Sequence, residues 1–144
     1  MSLQENKALV RRFVENVQNQ HNLAEIDELY SPNFVDHSSA EEASGTEAVK
    51  AFFTMMFTAF PDMHFTIRHQ LAEGDQVATH KTFTGTHLGT FMGIPPTGKQ
   101  VSIEVMDILT IREGKITDHW NVGDFLSMLQ QFGVVPAPEA SGTD

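Results

Sequence analysis

Three features predict a single α+β domain, with N-terminal helices packed on one face of a curved antiparallel sheet. Apolar residues follow a helical period before Pro61 and a period of two after Asp62, and the 144-residue chain is 40% hydrophobic and 19% charged. A curved sheet closed by helices leaves a hollow, and the hollow is where a ligand would sit.

The elements follow in order. Ser2 with Glu5 reads as a capping box, and Leu9, Val10, Phe13, Val14 and Val17 form one helical stripe. Asn22 with Glu25 signals a second helix through Ile26, Leu29 and Tyr30, stopped by Ser31-Pro32. Ser44 with Glu47 opens a third, whose Val49, Phe52, Phe53, Met56, Phe57 and Phe60 make it apolar almost all round, as suits the wall of a cavity. Strands are predicted over Met63 to Leu71, Val77 to Thr86, Val101 to Ile111 and Lys115 to Val122, with turns at Gly74-Asp75 and Glu113-Gly114. Asp124 caps a last helix, Phe125 to Phe132, ended by Gly133. The domain is assigned to residues 1–135, and the Pro/Ala/Ser/Gly tail 136–144 is expected to be frayed.

Composition narrows the partners. Nine Lys/Arg against nineteen Asp/Glu give a formal charge of −10, which repels phosphate backbones and argues against nucleic acid. The absence of cysteine removes disulfides, thiolate nucleophiles and Cys-ligated zinc. No apolar run reaches the roughly 18 residues of a membrane span. The start lacks a leader pattern, so the cytoplasm is the expected compartment, and Met1-Ser2-Leu3 resembles a vector remnant. The seven histidines form no metal-binding motif, and neither a metal nor a cofactor is expected.

Asp107 is the sharpest anomaly. It shares strand parity with Val101, Ile103, Val105, Leu109 and Ile111, and so points to the apolar side. A bulge could return it to water, or an arginine could pair with it; in a dry pocket, desolvation would raise its pKa towards neutrality and suit it to proton transfer. His119 and Asn121 share one face of their strand, opposite Asp118, Trp120 and Val122. His119 could exchange a proton and Asn121 could bond a developing oxyanion. The alternative is structural, with Trp120 in the core and His119 satisfied by a neighbour. Asn33 to His37 reads as a loop at the pocket mouth or a self-bonded turn. His69, on the parity of Phe65, Ile67 and Leu71, is a core or pocket histidine. The glycine-rich run from Gly85 to Lys99 is too apolar at Phe91, Met92 and Ile94 for a solvated loop, and should cover a pocket mouth or a second subunit.

That run, together with Glu113 to Asp124 and the continuation Leu129-Gln130-Gln131-Phe132-Gly133, resembles the SnoaL-like polyketide cyclases over roughly residues 5–134. The resemblance implies the cone-shaped α+β barrel shared with nuclear transport factor 2 and ketosteroid isomerase, commonly a homodimer or higher homo-oligomer. It also implies a cofactor-free intramolecular aldol cyclisation of a small apolar carbonyl or ester compound. In the family, the catalytic carboxylate follows a His-Trp pair, where this chain has Asn121. A pocket position held by histidine in characterised cyclases is Asp107 here, and Asn33 matches a pocket asparagine. The expected catalytic set is therefore Asp107 as base, His119 as proton partner and Asn121 as oxyanion donor. Asn33, His37, Phe57, His69, His87, Phe91 and Trp120 are the expected substrate contacts. Two alternatives accompany it: a non-catalytic small-molecule-binding protein of the same fold, and epoxide hydrolysis, which would need Asp107 beside a second carboxylate and an arginine.

Overall fold

The computed structural model describes residues 2–38 and 43–137. Helix α1 (Leu3–Arg12) starts at the Ser2/Glu5 capping box, with both of its hydrogen bonds formed. The predicted stripe does not continue as α-helix. Phe13–Asn19 is a π-helical turn, in which bonds such as Gln20 N–H to Glu15 O span five residues. This wider turn presents Phe13 and Gln18 to the interior cavity. Helix α2 (Glu25–Leu29) begins later than Asn22, whose side chain instead accepts from the Ala24 N–H in a local turn.

Tyr30–Asp36, expected as a loop after Tyr30, is strand β1. It pairs parallel with the last strand, through Val35 opposite Asp118 and Asp36 opposite His119. A two-residue strand β2 (Ala43–Ser44) leads into α3 (Gly45–Ala59), for which Ser44 sits at the N-cap but makes no side-chain capping bond. The remaining strands lie close to their predicted limits: β3 (His64–Glu73), β4 (Gln76–Thr86), β5 (Gln100–Arg112) and β6 (Lys115–Gly123). Helix α4 (Phe125–Phe132) is capped by Asp124, which accepts from the Ser127 N–H, and ends at Gly133 with φ +85. Of the expected tail, residues 138–144 lie outside the described part of the chain.

The six strands run in the order β2-β1-β6-β5-β4-β3. Two expectations change here. The sheet is mixed rather than antiparallel, because β1 enters beside β6 in the parallel sense, and among the described residues it is open, with β2 and β3 at its edges. The core lies between the inner sheet face and the helices. Phe60, fully buried, is its hub: the ring packs on Phe83, Phe91 and Phe132 at centroid distances of 5.1, 5.2 and 6.4 Å. The glycine-rich loop passes so close to α3 that a Cβ on Gly89 would lie 2.6 Å from the Thr58 carbonyl oxygen.

Candidate active site

A cavity of about 370 Å³ lies between the sheet and helices α3 and α4. Its wall is mostly Phe, Met, Val and Ile, and α3 supplies Val49, Phe52, Phe53 and Met56 to it. Among this apolar lining stand Asp36, Lys81, Asp107, His119, Asn121, Tyr30 and Gln18. A mainly apolar hollow with a few convergent polar groups is the usual form of a small-molecule site.

Asp107 is 4% exposed, as its parity on β5 predicts. It has a partner, and the partner is a lysine. Lys81 Nζ lies 2.6 Å from Asp107 Oδ2, with both side chains buried. The other carboxylate oxygen, Oδ1, is buried and has no hydrogen-bond partner among the described residues. Pairing across the sheet sets Asp107 opposite Thr79 on β4 and Asn121 on β6, so the three form one row.

His119 and Asn121 both line the cavity, as their shared face predicts. His119 Nδ1 is 3.2 Å from Asp36 Oδ1. In the neutral ring this contact places the proton on Nδ1 and leaves Nε2 for a bound molecule. Burial pushes the Asp36 carboxyl upward, but bonds from His119 and from the Ser38 hydroxyl and N–H outweigh it. The net effect holds Asp36 well below the usual carboxylate range. Tyr30 is also enclosed. Burial, with the nearby charges of Asp107 and Asp36, raises its phenol well above the ordinary value, so it remains a hydrogen-bond donor.

Phe91 joins this lining, but the other expected contacts lie elsewhere. Phe57, on α3, stacks on His21 at 4.0 Å outside the cavity wall. His87 is fully buried as a loop anchor: its Nδ1 accepts from the Thr97 N–H at 3.2 Å, and its ring stacks on Phe132. His69 faces outward because the ladder slips one residue between Ile67 and His69, which reverses the strand's facing and sets His69 Nδ1 2.9 Å from His80 Nδ1. Asn33 is exposed on β1. His37 and Trp120 stack on each other at 4.5 Å on the far side of the sheet from Asn121, where His37 Nε2 also meets Asp118 Oδ2 at 2.9 Å. Trp120 is therefore neither core nor cavity wall.

Sequence reasoning missed Lys81, although a signal was present. Lys81 shares strand parity with Val77 and Phe83, the same anomaly on β4 that marks Asp107 on β5. The condition set for epoxide hydrolysis is not met, because the cavity lining contains no arginine among the described residues. Nor do the described residues include a group of three or more His, Asp or Glu placed to hold a metal.

Helices covering a curved mixed sheet, with acid and base groups inside the resulting hollow, define a nuclear-transport-factor-2-like α+β fold. The family model for SnoaL-like polyketide cyclases matches residues 8–132, and the chain belongs to that family. It is 33% identical to the aklanonic acid methyl ester cyclase DnrD of Streptomyces peucetius, over 91% of this chain and 93% of that protein. It is 27% identical to the nogalonic acid methyl ester cyclase of Streptomyces nogalater, covering 82% of this chain and 90% of the relative. Among solved structures, AclR from Streptomyces galilaeus, a candidate hydroxylase, superposes with a TM-score of 0.84 at 35% identity, covering 96% of this chain and 87% of AclR.

Proposed function

We propose that the chain closes a ring in a polyketide-derived ester or ketone by intramolecular aldol addition, using its own side chains as acid and base. The supporting observation is the convergence of Asp107, His119 and Asn121 on one largely apolar cavity. Asp107 Oδ1 would take the proton from the carbon beside the carbonyl, and Asn121 would donate a hydrogen bond to the enolate oxygen. The enolate carbon attacks the second carbonyl, and protonated His119, oriented by Asp36, gives its proton to the resulting alkoxide. Proton movement from Asp107 to His119 through solvent resets the site. Substrate and product then have the same composition.

Composition is also the test. Incubation with aklanonic or nogalonic acid methyl ester, followed by chromatography and mass spectrometry, should give a new species of unchanged mass. A product heavier by one oxygen would favour the hydroxylation suggested for AclR, and binding without conversion would favour a carrier. Either outcome overturns the proposal.

The same reading includes a homodimer. The outer face of the sheet carries Leu71, Ala78, Ile108 and Trp120 in register across four strands, with Met106 and Val122 in the next row. Val122 is 77% and Leu71 71% exposed, a continuous apolar face that a second copy would cover. Sedimentation equilibrium should give twice the 16.0 kDa chain mass, and Val122→Glu should return it to the monomer. A monomeric parent at micromolar concentration contradicts the dimer.

A further inference from the structure

Lys81 has no part in the scheme above, yet it is the most enclosed charged group in the cavity. It is 1% exposed. Its ammonium reaches Asp107 Oδ2 at 2.6 Å and Gln18 Oε1 at 3.2 Å, and stands 4.8 Å from the centre of the Phe65 ring. Every neighbour favours a cation: a carboxylate, an amide oxygen and an aromatic face. Among the described residues, the other titratable groups of the cavity are Tyr30 and Asp36 from β1 and His119 from β6, while α3 and α4 add only apolar residues. Tyr30 and Asp36 bring no positive charge, and His119 is engaged with Asp36. Among the described residues, Asp107 therefore has one fixed counter-ion.

We infer that Lys81 is a positioning residue that keeps Asp107 ionised in its apolar surroundings and holds the cavity neutral while a proton moves. The inference rests on the reading of Asp107 as the base. A carboxylate alone at this depth would take up a proton at neutral pH and cease to be a base. With Lys81 beside it, the Lys81–Asp107 pair holds one cation and one anion, separate from the His119–Asp36 pair. During enolisation the C–H electron pair stays on the substrate as enolate, and the proton goes to Asp107 Oδ1, the oxygen that no described residue bonds. Afterwards the same cation, a neutral acid and the enolate stand where the pair and the neutral substrate stood, and the His119–Asp36 pair is unchanged. Net charge does not change, and the field of Lys81 acts on the enolate once Asp107 is neutral.

The test compares the parent with Lys81→Met, Asp107→Asn and the double variant Lys81→Met/Asp107→Asn, using kcat against pH and thermal melting from about pH 5 to about pH 9. In Lys81→Met, the acidic limb of the kcat profile should move up by about two pH units or more, with partial recovery of turnover at high pH. Its melting temperature should also fall as pH rises, because a carboxyl with a raised folded-state pKa loses stability as it ionises. The double variant should lose that pH dependence. An acidic limb that stays in place, or a Lys81→Met melting curve parallel to the parent's, overturns the inference while leaving Asp107 as base if Asp107→Asn is inactive. An active Asp107→Asn overturns both readings. Failure of Lys81→Met to fold at about pH 5, where its carboxyl should be neutral, or of the double variant to fold at any pH, would show that packing by the lysine stem matters instead of charge, and also overturns it.

Discussion

Asp107→Asn should lower kcat by about 10²- to 10⁴-fold, the range a positioned general base contributes. Asparagine keeps the size of the side chain and its place in the row between Thr79 and Asn121, but it cannot accept the proton. From the sequence, this substitution is expected to leave the fold intact. The structure changes that expectation, because the variant leaves Lys81 a buried cation with only Gln18, the new amide oxygen and aromatic rings around it. Removing one partner of a buried ion pair costs about 3–5 kcal/mol. Turnover should therefore be compared well below the variant's melting temperature, with circular dichroism confirming that it is folded. A folded Asp107→Asn enzyme within tenfold of parental kcat would remove Asp107 from the mechanism.

Phe60→Ala should be the most destabilising single truncation. Phe60 ends α3, and its ring holds together β4 through Phe83, the glycine-rich loop through Phe91 and α4 through Phe132. It is fully buried, so the variant loses the transfer free energy of the ring and gains a void at the junction of three elements. The expected cost is about 3–5 kcal/mol. Calorimetry should show a melting temperature lower by about 10 °C or more in a domain of this size. Because Phe91 also lines the cavity, the Michaelis constant should rise along with the loss of stability. A drop of only a degree or two would mean that the loop and α4 are held by other contacts.

Much of this arrangement can be read from local sequence. Strands β3 and β4, and strands β5 and β6, are joined by short turns, and all four alternate apolar with polar residues, so their limits follow from periodicity, as do the inward facing of Asp107 and the shared face of His119 and Asn121. Asp124 and Gly133 mark the ends of α4 because cap chemistry depends only on adjacent residues. The features that escaped depend on distant partners or on one-residue slips. Strand β1 contains Ser-Pro-Asn, which reads as a turn, and it becomes a strand by pairing with β6 from the far end of the chain. The slip after Ile67 turns His69 outward, where simple alternation predicts inward. The π-turn at Phe13–Asn19 follows neither a helical nor a strand period. Asp36 becomes the orienting partner of His119 only once β1 lies beside β6. The lysine beside Asp107 broke the pattern of its own strand, but only the β4–β5 register makes the two a pair.

The proposed reaction requires this cavity to hold the ester with its reacting carbon facing Asp107 and its carbonyl oxygen facing Asn121. A crystal structure of Asp107→Asn soaked with aklanonic acid methyl ester would show that placement. Ligand density should lie inside the cavity, with the carbon beside the carbonyl about 3–3.5 Å from residue 107. The carbonyl oxygen should lie about 3 Å from Asn121 Nδ2. Density confined to the outer sheet face, or a ligand in the cavity whose carbonyl groups reach neither residue, would contradict it.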